Sequence, residues 1–179
     1  VSRIGKILSE GTVTYDTLVL HNQTSAWKCF DNDQNKGIDE YHEALMNAYS
    51  LLTQKHVLFH FGDEIIMERH AYVDGNTLVI GNQRYKTVVI PKNKGFFEHT
   101  EKLLKEFKDA GGVITTAEEV PTNDICSSSK IMYTERIFED YKVYYFINNH
   151  SETIEASFRQ GGKVMDIETG EITPFTGSY

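Results

Sequence analysis

The stretch DGNTLVIGNQRYKTVVIP, residues 74–91, holds two kinds of strand in one run. Ala71-Tyr72-Val73 and Thr77-Leu78-Val79-Ile80 flank Asp74-Gly75-Asn76, which is the turn chemistry of a β-hairpin. Gly81-Asn82 makes a second turn. Tyr85-Lys86-Thr87-Val88-Val89-Ile90 then runs as a strand closed by Pro91. A short run of that kind suits a strand buried on both faces, as in a parallel sheet.

The same pattern recurs outward from this segment. Tyr15-Asp16-Thr17-Leu18-Val19-Leu20-His21 rises into another continuous apolar run, and His56–Phe61 is a shorter one ended by Gly62. Between them, after a polar stretch from Asn22 to Gly37, lies a predicted helix over 38–54. There Ile38, Tyr41, Leu45, Ala48 and Leu52 recur at spacings of three and four. Asp39 and Glu40 fall in its first turn, where the helix dipole favours acids. A second helix is predicted over 96–110, with Phe96, Thr100, Leu103, Leu104, Phe107 and Ala110 facing the core. Glu98/Lys102 and Glu101/Lys105 are its expected ion pairs, and Gly111-Gly112 its stop. Val113–Thr116 starts a fourth strand, and Ser2–Leu8 is a short helix at the other end of the chain.

After about residue 125 the period changes. Lys142–Ile147, Thr153–Arg159, Lys163–Ile167 and Glu171–Pro174 read as strands separated by turns, with no helix between them. The expected architecture is therefore α/β over residues 1–124, a parallel sheet flanked by helices, followed by a short antiparallel β segment over 125–179.

Composition narrows the function. The 179 residues are 40% hydrophobic and 25% charged, with a net charge of -8. That balance argues against a nucleic-acid partner and against docking on anionic membranes, and no apolar run approaches the ~20 residues of a span. It is compatible with a neutral substrate such as a sugar. Cys29 and Cys126 stand far apart, so neither a disulfide framework nor a CxxC knuckle is expected. A cytoplasmic compartment is favoured. Asn22-Gln23-Thr24 and Asn149-His150-Ser151 match the glycosylation sequon, which matters only in a secretory pathway. The chain starts at Val1 with no signal peptide, and the absent initiator Met suggests a piece of a longer chain.

The stretch HFGDEIIMERH, residues 60–70, concentrates histidines and acids. As a metal site it fits poorly. His56 and His60 lie on a predicted strand, where four residues span roughly 13 Å, and HExxH is absent. Asp63 and Glu64 are adjacent and so point apart, whereas glycoside hydrolysis needs carboxyls facing each other across a cleft. The expected role of Asp63 is to cap a helix starting at Glu64, with Ile65, Ile66 and Met67 packing inward. No nucleophile elbow surrounds either cysteine, and no GxGxxG or Walker lysine is present. No catalytic residue, metal or cofactor is expected. In an open α/β sheet ligands bind outside the carboxyl ends of the strands. Those ends place His21, Asn22, Asp63, Glu64 and Lys92, with Trp27, on one polar rim that faces a ligand or an interface.

The order "LVLHNQTSAW", helix, "FHFGDE", "IMERH", "DGNTLVIGNQRYKTVVIP", helix, "AGG", strand resembles the accessory α/β domain that follows the catalytic barrel in some multidomain glycoside hydrolases. The β-galactosidase trimerisation-type domain and its relatives in α-rhamnosidase-like enzymes are examples. "YYFINNHSETIEASF" and "GGKVMDIETGEI" resemble the start of the β-rich module that commonly follows. The resemblance implies a flavodoxin-like fold similar to class I glutamine amidotransferases without the catalytic cysteine. It implies membership in a carbohydrate-acting enzyme rather than chemistry within this segment. The partners it implies are a catalytic barrel in the same parent chain, carbohydrate, and a second copy of the chain. The rival readings are a stand-alone glycan- or small-molecule-binding module and an amidotransferase-like enzyme using Cys29 or Cys126.

Overall fold

A computed structural model describes residues 2–30 and 37–177. The elements run α1 (Ser2–Ser9), β1 (Thr17–Leu20), α2 (Gln23–Cys29), α3 (Ile38–Gln54), β2 (Phe59–Gly62), α4 (Glu64–His70), β3 (Ala71–Asp74), β4 (Thr77–Ile80) and β5 (Gln83–Tyr85). They continue with β6 (Thr87–Val89), α5 (Glu98–Asp109), β7 (Val113–Thr115), β8 (Met132–Ile137), β9 (Lys142–Ile147), β10 (Gly162–Met165) and β11 (Ile172–Phe175). The chain folds as two compact units. One comprises Thr14–Leu52 and Val57–Pro121; the other gathers Val1–Val13, Thr53–His56 and Thr122–Tyr179.

The first unit is mixed α/β. Its sheet is parallel throughout, in the order β2-β1-β6-β7, with Leu18 opposite both His60 and Val88. Every residue of β1 is buried, as its uninterrupted apolar run requires. Successive side chains of a strand point to opposite faces, and each face has its own core. Leu18, Leu20 and Val88 pack with Met67, Leu78, Tyr85, Leu104 and Phe107. Val19 and Val89 pack with Ala48, Leu52, Ala117 and Val120. Full burial of such side chains stabilises by roughly 1.5–3 kcal/mol each. The packing around Gly62 is tight, since a Cβ there would lie 3.0 Å from Leu18 Cδ2.

Residues 71–85 form the three-stranded antiparallel sheet β3-β4-β5, and after a break at Lys86 the chain enters the parallel sheet as β6. Helix α5 ends in a Schellman motif. Gly111, at φ +90°, donates its N–H to Lys108 O at 3.0 Å, and Gly112 donates to Phe107 O at 2.9 Å.

The second unit contains the antiparallel pairs β8-β9 and β10-β11 around Ile125, Cys126, Ile131 and Ala156. Thr12 bridges to Ile137, and Arg3 donates to the carbonyl oxygens of Ile167 and Glu168. His56 Nε2 sits 3.1 Å from Ser128 O and 3.0 Å from Ile131 O, which requires the hydrogen on Nε2.

Several expectations need correction. The polar stretch after β1 is helical over Gln23–Cys29; its residues 31–36 lie outside the described residues. Thr153–Arg159 is not a strand; Ser157 and Phe158 form isolated bridges, Phe158 to Cys126. Its apolar residues Ile154, Ala156 and Phe158 do pack inward, so the alternation reports burial without ladder pairing. β8 carries no expected counterpart. Of Ile65, Ile66 and Met67 only Met67 packs inward, while Ile65 and Ile66 are 38% and 53% exposed. Ala110 is exposed, and Lys105 pairs with Asp109 rather than Glu101.

Candidate functional site

The carboxyl ends of β1, β2 and β6 lie side by side, so the residues that follow them converge. His21 continues β1 by donating its N–H to Gly62 O at 3.0 Å; its ring is half-buried and Nδ1 has no partner. Asn22 is 3% exposed and spends its amide on two carbonyls, Tyr41 O at 2.9 Å and Lys92 O at 3.0 Å. It thereby ties the ends of β1 and β6 together. The Asn22 sequon is consequently closed to modification, whereas Asn149 is exposed.

Asp63 is the N-cap of α4. Its Oδ1 accepts from Ile65 N at 2.9 Å and Ile66 N at 3.0 Å, and its Oδ2 from Gln23 Nε2 at 2.9 Å. The Ile66 amide leads the interactions that hold its carboxyl below the usual aspartate range; Gln23, Ile65 and His21 add to it against partial burial. Glu64, beside it, is fully buried. Thr24 donates its hydroxyl to Glu64 Oε1, and Phe97 donates its N–H to Oε2 at 2.8 Å. The Glu64 backbone carbonyl accepts from His99 Nε2 at 3.0 Å. One glutamate thus joins α2, α4 and the entry to α5.

Lys92 contributes its carbonyl to Asn22 and its exposed ammonium to Glu40. That hydrogen-bonded pair raises the lysine pKa and lowers the glutamate's. Trp27 is 56% exposed, with its ring centroid 6.5 Å from that of Phe97.

Gln23, Thr24 and Ser25 also belong to this site, on a helix, α2, that their polar sequence does not announce. Ser25 is fully buried; its Oγ accepts from Lys94 N at 2.7 Å and lies 3.3 Å from Gly95 O. These contacts fasten the 91–97 loop over the end of β1. The local signal was present in QTS directly after an apolar strand. Its polar residues suggest a loop, yet they are satisfied by Asp63, Glu64 and the 91–97 loop rather than by solvent.

Asp63 and Glu64 face different partners and enclose no cleft. Cys29 ends α2 and is half-buried, with Lys94 Nζ at 3.7 Å and Tyr41 Oη at 3.9 Å; Cys126 is buried in the other unit. Neither sits on a strand-to-helix elbow. Among the described residues no three His, Cys, Asp or Glu side chains converge on a metal position. No described helix is long and apolar enough to cross a membrane. The second unit holds an open groove of about 610 Å³ lined by Ile131, Phe146, Ile154 and Phe158, with Glu152 at its rim. None of the six candidate residues lines it. No family model matches this chain, and no curated protein matches it.

Proposed function

We propose that the chain is a non-catalytic accessory segment of a glycoside hydrolase, acting on carbohydrate only through a catalytic barrel in the same parent chain. The observation that carries this reading is the state of the sheet's carboxyl end. Asn22, Thr24, Ser25 and Glu64 are buried and bonded to one another's elements, so the place where α/β proteins bind ligands is filled by the protein itself. The helices leaving that end expose Trp27, Phe30, Ile65 and Ile66. A plugged site with large apolar side chains around it serves docking better than turnover. The strand order β2-β1-β6-β7 supports a flavodoxin-like, amidotransferase-like reading of the first unit. The cysteine placement supports the loss of amidase chemistry.

The test is the mass of the native gene product in its source cells, detected with an antibody raised to this chain. A band several times larger than 20.5 kDa is expected; a band near 20.5 kDa overturns the reading. In that event a stand-alone glycan-binding module becomes the better account. The exposure of Trp27, the sole tryptophan, favours it as the second reading. Quenching of Trp27 fluorescence by glycans, abolished in W27A, would be its signature.

A further inference from the structure

Among the described residues the outer edge of β9 has no partner strand. Ile137 on β8 exchanges both of its backbone hydrogen bonds with Thr12, each at 2.9 Å, so it points away from β9. In an antiparallel ladder this direction alternates residue by residue. Lys142, opposite Ile137, therefore turns its N–H and C=O to the far edge of β9, and Tyr144 and Phe146 follow by alternation. No described residue bonds to those outward groups. A bare edge of KVYYFI, with Lys142 its only charge, is a template for another strand.

We infer that β9 pairs antiparallel with β9 of a second copy, about a twofold axis at Tyr144. The ladder geometry of this register suits a second copy, and the residues that it brings together favour one. The outward residues Lys142, Tyr144 and Phe146 are spaced evenly about Tyr144, so each finds an outward residue opposite it in the partner. Two strands in this register satisfy every outward N–H and C=O, as an isologous contact demands. The exposed apolar residues flanking the strand obey the same symmetry. Tyr141 is 58% exposed and Ile147 37% exposed, and the register sets Tyr141 of one copy opposite Ile147 of the other. It also sets Lys142 opposite Phe146, so the strand's one charge meets no like charge across the contact. The contact is independent of whether the parent protein is a glycosidase.

Sedimentation velocity of the full chain from micromolar to near-millimolar concentration tests this, together with amide exchange. The expected result is a species of twice the 20.5 kDa chain mass, favoured by salt because each copy carries a net charge of -8. The amides of Tyr144 and Phe146 should slow as the dimer forms. Lys142→Pro removes an outward N–H without touching the β8 ladder, and it should weaken the dimer about tenfold or more. A chain that stays monomeric to near-millimolar at high salt overturns the inference. So do edge amides protected independently of concentration, which would mean the edge is covered within one chain. A dimer in which the Tyr144 and Phe146 amides still exchange freely also overturns it, whatever the fold of the proline variant.

Discussion

Asp63 shows how one side chain sets both a local structure and its pH response. It lies in extended conformation, φ -100° and ψ 129°, and accepts the first free amides of α4. Removing that acceptor in Asp63→Ala should cost about 1 kcal/mol, within the usual 0.5–2 for such caps, measured by urea denaturation at neutral pH. The pH dependence follows from the depressed pKa. The unfolded aspartate takes up a proton near its ordinary value of about 3.9, before the folded one does. The charge contribution is thus complete above that value and disappears as pH falls through the lower folded pKa. In Asp63→Asn, which keeps a capping oxygen, the stability deficit relative to wild type should shrink across that acidic window. A deficit that stays constant down to the lower pKa would show that the charge contributes nothing. His60 works in the opposite sense to a stabilising histidine. Burial lowers its pKa, so protonation below about 6.5 is taken up first by the unfolded chain and opposes folding.

At the scale of elements, what the sequence disclosed depended on where each residue's partners lie. β1, α3, the β3-β4 hairpin and α5 were legible because their signals are internal: an apolar run, a spacing of three and four, an Asp-Gly-Asn turn, a double glycine. Asp63 as a cap was legible for the same reason, since its acceptor and its donors sit within three residues. Glu64 was not, because Thr24 and Phe97 approach it from other elements. α2 was hidden likewise, its polar residues being satisfied by Asp63, Glu64 and the 91–97 loop. Thr153–Arg159 misled in the opposite way, since alternating burial does not require a paired strand. The end of α5 offers a sharp check on packing. Phe107 is fully buried, and a methyl at Gly112 would overlap its ring. Gly112→Ala should therefore destabilise by about 1–3 kcal/mol through overpacking. Gly75, at φ +57° with open space around it, should accept Asn at little cost. Equal unfolding midpoints for the Gly112 and Gly75 variants would show that the α5–β7 junction yields to strain.

For the whole molecule the decisive feature is that the unit boundaries do not follow chain order. Residues 1–13 belong with residues 122–179, and the parallel-sheet unit is inserted between them. Within their unit, residues 1–13 supply directional contacts. Thr12 and Ile137 exchange two backbone bonds of 2.9 Å each, Arg3 donates to two carbonyls near β10, and Leu8 O accepts from Arg136 Nε at 2.9 Å. Each such bond contributes about 1 kcal/mol net, and each buried group left unpaired costs more. A two-stranded ribbon such as β8-β9 is marginal in isolation. Deleting residues 1–13 should therefore speed amide exchange in β8 and β9 by about tenfold or more, roughly the loss of 1.4 kcal/mol or beyond. The parallel strands keep all of their register partners, so exchange in β1 and β6 should change little. Hydrogen exchange resolved by residue distinguishes this from a general loss of stability. Equal acceleration in both sheets would mean that the N-terminal segment supports the chain as one cooperative body, and protection of β8 and β9 left intact would mean that residues 1–13 only decorate their unit.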